Sequence, residues 1–297
     1  MRDTQGAVAH GWSEPDMRLA DRGGATLAGW QLGWAQVIGS RHAGLCEDSL
    51  AHAGRVLPGS PPDGPAALCL AVADGVGGGA RGDVASATLA SHCVAVPAEL
   101  LGHADGIRKW MLLAEGQVQL KLREVSYEPG AATLAAAWLL PACAVPASGA
   151  QGHILRVGDA RLYRFDGARL APLTVDQTYA SVGEAPPEGA TADDPARMVG
   201  TGFTGRPEVV PLRLAPGDTL LLCSDGLHRG LASQDMAELL RQGGDLGACA
   251  LRLAQAARRG GSEDDITVLL ARLFTQQLFP APVYSGLMQS LRRMFHT

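Results

Sequence analysis

The sequence holds no C-x-x-C pair, no basic excess, no internal repeat and no long apolar run free of proline. Each absence excludes something. Its six cysteines, Cys46, Cys69, Cys93, Cys143, Cys223 and Cys249, lie far apart and several sit inside apolar runs. That spacing argues against a thiol zinc or redox site and for buried free thiols in a reducing cytoplasm. Lys+Arg 25 against Asp+Glu 30 gives a net charge of −5, with a pI near 5.9, so no general basic field invites nucleic acid. The longest uncharged stretch, Pro129 to Gly152, contains Pro141 and Pro146 and reads as strand, loop, strand rather than a membrane span. Residues 1–18 lack the apolar segment of a secretory signal, so the expected location is cytoplasmic.

What is present is an ordinary globular composition, 46% hydrophobic, in a chain of 297 residues. That length suits one large domain or two small ones. With 38 Gly and 18 Pro, many turns and a strand-rich fold are favoured over a helical bundle. Residues 1–27 are polar and without sustained period, and read as a loose leader. Gly29 to Gly39 suits a first strand, Leu57 to Pro65 a turn-rich connector, and the run Ala66 to Ala73 a buried strand. Gly82 to Leu101 looks helical. Ile107, Trp110, Met111, Ala114, Val118, Leu122 and Val125 keep helical spacing, which predicts one amphipathic helix over 105–125. Strands are expected at 131–140, 152–158, 160–165 and 168–173, the last two joined by an Asp166-Gly167 turn. An irregular segment over 181–208 holds Arg197 and Arg206. Strands at 209–214 and 218–224, helices at 233–242 and 245–259 and a strand at 266–273 complete the pattern. It is an α+β pattern, two antiparallel sheets packed together with helices outside each. The domain is placed at 28–275. The tail 276–297 reads as a possible amphipathic helix carrying Arg292 and Arg293 on its polar side.

The chemistry is concentrated in short acidic motifs where apolar strands meet loops. Glu47-Asp48 sits in RHAGLCEDS, Asp74-Gly75 in AVADGVGGGARGD, Asp159 in HILRVGDARLY, Asp225-Gly226 in DTLLLCSDGL and Asp264-Asp265 in GSEDDITVLL. One such motif alone is as well explained by strand termination. Five carboxylate-bearing strand ends with no basic cluster to neutralise them repel one another unless cations hold them. Hard oxygen donors select Mg²⁺ or Mn²⁺. A carboxylate such as Asp74 can bridge two cations, while Gly75 lets its carbonyl approach one.

With these residues in view, the chain resembles the metal-dependent protein serine/threonine phosphatases of type 2C, in their bacterial form. The segments CEDS, ADGVGGGARGDVAS, GAATLAAAWL, VGDARLYRFDG, LTVDQT, PGDTLLLCSDGL and GSEDDITVLL occur in the family's order over roughly Gly29 to Leu273. The resemblance implies a four-layer α-β-β-α sandwich with a binuclear metal centre at one end of the sheets. It implies Asp74 as the bridging ligand, Gly75 as a carbonyl ligand, and Asp225 and Asp264 at the first metal. Glu47, with Asp48 beside it, would serve the second metal, and Asp159 a third, weakly held ion. The cofactor expected is Mn²⁺ or Mg²⁺. Thr133 and Gly77–Gly79 are expected to be structural.

Departures from the family pattern are Cys46 before the Glu-Asp pair, Ala131-Ala132 after Gly130, Val76 after Asp74-Gly75 and Asp265 where asparagine is usual. The phosphate-binding arginine is displaced in spacing. Arg41 and His42 lie six and five residues before Glu47, and Arg41 is favoured because its planar fork donates two hydrogen bonds to phosphate. The expected reaction is hydrolysis of phosphoserine or phosphothreonine by a metal-bridging hydroxide, with Asp74 and Arg41 as catalytic residues. Cys46 and Cys223 lie near the acidic motifs without a C-x5-R loop and read as packing residues. The expected partners are phosphorylated proteins, a serine/threonine kinase or its targets, for a chain acting as a monomer without nucleic acid. Two alternatives stay open: a catalytically silent regulatory module of the same fold, and a hydrolase of small phosphoesters.

Overall fold

Continuous apolar runs in the middle of the chain become strands buried on both faces. The protein is described here by a computed structural model covering residues 17–42, 44–58, 66–76, 81–125, 128–140, 149–200 and 207–273. Cys143, Gly77–Gly79, Arg206, most of the 57–65 connector and the C-terminal tail lie outside these residues. Among the described residues eleven strands form two antiparallel sheets. The first has the order β1 (Leu19–Leu27), β2 (Trp30–Val37), β11 (Ile266–Leu273), β10 (Thr219–Cys223), β7 (Arg161–Phe165), β8 (Leu170–Pro172). The second runs β3 (Ser49–Val56), β4 (Ala66–Val76), β5 (Ala131–Leu139), β6 (Ala150–Val157), β9 (Val209–Leu214).

Period-two alternation divides each central strand between two cores. On β4, Leu68, Leu70 and Val72 face the other sheet, where they meet Leu162, Leu220, Leu222 and Leu269. Ala67, Cys69, Ala71 and Ala73 face the helices α1 (Gly82–Val94), α2 (Ala104–Met111) and α3 (Ala114–Val125). Their small side chains let Leu89 and Cys93 of α1 pack onto the sheet. On β10, Leu220 and Leu222 face inward, while Leu221 and Cys223 meet α5 (Asp225–Gly230), α6 (Ser233–Arg241) and α7 (Leu246–Arg259). A short α4 (Tyr179–Val182) lies between β8 and β9. The layers are therefore helix, sheet, sheet, helix, as expected.

Four local readings need correction. Leu19–Leu27, placed in the loose leader, is β1, an edge strand in register with β2 from Asp21↔Gln36 to Leu27↔Trp30. Ser49–Val56, given no element, is β3. The helix expected over 105–125 is two helices, broken at Leu112 and Leu113, both more than half exposed. The helix expected to reach Leu101 ends at Val94, because Pro97 follows and disfavours helical backbone in the residue before it. No described helix is long and apolar enough to cross a membrane.

Candidate metal centre

Antiparallel pairing gathers the acidic motifs at one end of both sheets. β4 ends at Asp74-Gly75-Val76, beside the start of β3 (Ser49↔Ala73) and of β5 (Asp74↔Thr133). β10 ends beside the start of β11 (Cys223↔Val268) and of β7 (Cys223↔Arg161). Asp225 opens α5 two residues after the end of β10, Asp264 lies two residues before the start of β11, and Asp159 lies in the turn from β6 to β7. Between these ends is a cavity of about 680 Å³ lined by Glu47, Asp74, Gly75, Asp159, Asp225 and Asp264, with Arg41 and His42 at its rim. Arg229 also lines it, and Tyr179, Pro187, Ala190, Asp194, Pro195 and Met198 form a further wall. The irregular segment thus borders the carboxylates. Its Arg197 is engaged by Glu184.

Asp159 and Asp225 are buried, Glu47, Asp74 and Asp264 are partly buried, and their charges act on one another. Burial pushes the Asp74 carboxyl well above the usual range, and Asp225, Asp48, Asp159 and Asp264 push it further. Asp225 is pushed up to about 7 by burial, with Arg229 opposing and Asp159 and Asp264 adding to the rise. Asp159 and Glu47 are raised chiefly by burial, partly offset by Arg229 and His42 respectively. Asp74 Oδ2 accepts from the Asp225 backbone N–H at 3.4 Å, so the two carboxylate-bearing strand ends are directly linked.

The adjacent acids, which lie just before β3 and just before β11, divide between cavity and interior. Glu47 faces the cavity. Asp48 does not line it: its carboxylate is buried against the side chains of Ser224 and Thr267, and its Oδ2 has no hydrogen-bond partner among the described residues. Likewise Asp264 lines the cavity and Asp265 does not. Asp265 is 2% exposed and ties down the rim, accepting from the Gly39 N–H at Oδ1 (2.6 Å) and the Glu47 N–H at Oδ2 (2.6 Å), with His42 Nδ1 2.9 Å from Oδ2. Asparagine has one acceptor oxygen where this carboxylate uses two, so Asp265 organises the loop that carries Arg41, His42 and Glu47.

Arg41 projects from that loop and pairs with Glu263, both side chains being more than half exposed. Arg258, which the sequence reading missed, fixes the loop before β11 by donating to the carbonyls of Ile38 (3.0 Å) and Asp264 (2.8 Å). Burial pushes the thiols of Cys46 and Cys223 far up, which keeps them protonated and supports packing roles.

The donor set fits a hard divalent cation. It is all oxygen, it is largely shielded from solvent, and its carboxylates outnumber the cations facing them. The hydroxyl of Thr133, 1% exposed and beside Asp74, lines the cavity with no hydrogen-bond partner among the described residues. Among the described residues no three His, Cys, Asp or Glu side chains close on a single point as they stand.

One prediction separates the last pair of acids. Asp264→Asn removes a charge from the cavity and is expected to lower turnover by about 10²-fold and raise the Mn²⁺ requirement. Asp265→Asn is expected to hold turnover within several-fold. It should lower Tm instead, because its amide group would face the Gly39 N–H, a lost hydrogen bond costing about 1–3 kcal/mol. Mn²⁺ titrations and thermal melts of both variants check the ranking.

The fold and the acidic cavity define a class of α-β-β-α domains with a carboxylate-lined site at one end of the sheets, and comparison with known proteins narrows it. The protein phosphatase 2C family profile matches residues 44–249. The chain is 31% identical over 218 residues to serine/threonine protein phosphatase PstP of Mycobacterium tuberculosis, covering 69% of this chain and 40% of that protein. It is 33% identical over 213 residues to serine/threonine phosphatase stp of Listeria monocytogenes, covering 67% of this chain and 82% of that protein. The crystal structure of the PstP catalytic domain in complex with 2 manganese ions aligns with a TM-score of 0.60 at 28% identity, covering 82% of this chain and 97% of that one. The chain belongs to the protein phosphatase 2C family.

Proposed function

We propose that the chain is a divalent-metal-dependent phosphatase that removes phosphate from phosphoserine and phosphothreonine on proteins. The observation that carries this reading is the convergence of Glu47, Asp74, Asp225 and Asp264 on one cavity whose rim holds Arg41 and His42. The homologues named serine/threonine phosphatases and the manganese-bound PstP domain support it. Glu47, Asp74, Asp225 and Asp264, with the Gly75 carbonyl, would hold Mn²⁺ or Mg²⁺. Such ions supply a water of lowered pKa and neutralise charge on a phosphoryl group.

The remaining tasks fall to the chain itself. Asp74, whose carboxyl is raised by Asp225, Asp48, Asp159 and Asp264 together, sets the charge balance of the centre. Arg41 offers its guanidinium fork to phosphoryl oxygens; its exposed pairing with Glu263 is weak enough to exchange for that stronger partner. Asp265 holds His42 and the Glu47 backbone in place. The wall from Tyr179 to Met198 shapes the approach to the centre and so contributes to substrate choice. The substrate is a phosphorylated kinase or a target of one, met in the cytoplasm by a monomer.

A comparison of substrates tests this. With Mn²⁺ present, a phosphothreonine peptide should be hydrolysed with a kcat/KM about tenfold or more above that of p-nitrophenyl phosphate, reflecting binding energy from the peptide. Turnover of the small ester alone would indicate a small-phosphoester hydrolase. Turnover of neither would indicate a silent binding module.

A further inference from the structure

The resemblance assigns Asp159 to a third metal ion, and the structure puts a cation of the chain's own there. Arg229 Nη2 lies 3.1 Å from Asp159 Oδ2, and its Nε lies 3.0 Å from Asp225 Oδ2. The same Nη2 donates to the Asp193 carbonyl at 3.2 Å. Asp225 and Arg229 are four residues apart on α5, so one helical turn tethers the cation beside a carboxylate of its own helix. The preceding residue, His228, holds Asp159 from the other side, its Nε2 3.0 Å from the Asp159 carbonyl oxygen.

Resting on the metal-dependent reading above, we propose that Arg229 is a built-in cation that takes the place of a divalent ion between Asp159 and Asp225. Asp159 is then a positioning residue for Arg229, and through the Asp193 carbonyl for the cavity wall, rather than a metal ligand. The physical argument is one of charge and of space. A guanidinium is permanently charged, and its fork already spans both carboxylates. Arg229 is 43% exposed, but the carboxylates it spans are 3% and 12% exposed, so a divalent ion between them would meet the guanidinium charge at close range. Without Arg229, two buried carboxylates would face each other with no countercharge, which is what attracts an ion.

The test is to count bound Mn²⁺ per chain by calorimetry and elemental analysis at fixed free Mn²⁺, in wild type, Asp159→Asn, Arg229→Ala, Arg229→Lys and the Asp159→Asn/Arg229→Ala double variant. Asp159→Asn should bind as many ions as wild type. Arg229→Ala should bind one more, and the double variant should lose that gain. Arg229→Lys, which keeps the charge, should match wild type. Fewer ions in Asp159→Asn, or no gain in a folded Arg229→Ala, would overturn the inference. Should Arg229→Ala fail to fold, the Asp159→Asn count alone decides. A wild type that binds no divalent ion would overturn the metal reading itself and this inference with it.

Discussion

Asp74→Asn is expected to abolish nearly all turnover, on the order of 10³-fold, as for loss of a fixed charge partner in a water-poor site. The protein should still fold. In the metal-free state the substitution is expected to stabilise it at neutral pH, because Asp74 is partly buried and repelled by Asp225, Asp48, Asp159 and Asp264. Its folded pKa lies above its unfolded value, so the folded state retains protons that the unfolded chain releases. The contribution of these carboxylates to the stability of the chelated protein is therefore full below about pH 4, the ordinary aspartate range, and is lost as pH rises through the folded values, with Asp225 near 7. Asp74→Asn should flatten that fall, and Mn²⁺ should reverse it in wild type only. Chemical denaturation between pH 5 and 8, with and without Mn²⁺, reads all three effects.

Gly75→Ala is expected to be the second most damaging change, although it touches no charge. A Cβ at Gly75 would sit 2.4 Å from the Glu47 carbonyl oxygen and 2.6 Å from the carbonyl of Gly82. Both obstacles are backbone, one leading into β3 and the other at the start of α1, so neither yields by a rotamer change. The strand end must move, and with it Asp74 and Glu47. A destabilisation of about 1–3 kcal/mol follows from overpacking of this kind. Displacement approaching an ångström at the reacting centre costs about 10²-fold in turnover. A melt together with a Mn²⁺-saturated rate measurement checks both numbers. A variant with wild-type rate and Tm would show that the segment is looser than this packing implies.

The parts of the site that could be read from sequence are those where a buried apolar strand stops at an acid. Asp74, Asp225 and Asp264 follow or precede such runs, and β4, β10 and β11 lie where the runs predict. Elements that depend on their surroundings were not readable. β1 is mostly exposed and pairs with β2 alone, so its LADRGGATL sequence carries no alternation. Helix α5 has six residues, too few for a periodic signal, and forms where Gly226 lets it approach the Asp265 carbonyl, which a Cβ would meet at 1.9 Å. Arg229 was missed for the same reason: its i,i+4 relation to Asp225 means something only once a helix is known to start there. Asp48 and Asp265 show the limit of motif reading from the other side. Each is next to a cavity carboxylate in sequence, yet Asp48 is buried against Ser224 and Thr267 and Asp265 accepts from the Gly39 and Glu47 N–H groups, contacts that only the fold creates.

The most direct measurement is the rate of phosphothreonine-peptide hydrolysis as a function of free Mn²⁺ after exhaustive chelation. The account predicts no turnover without divalent ion and saturable recovery on addition of Mn²⁺, with no recovery in Asp74→Asn. Full turnover in the chelated protein would contradict it.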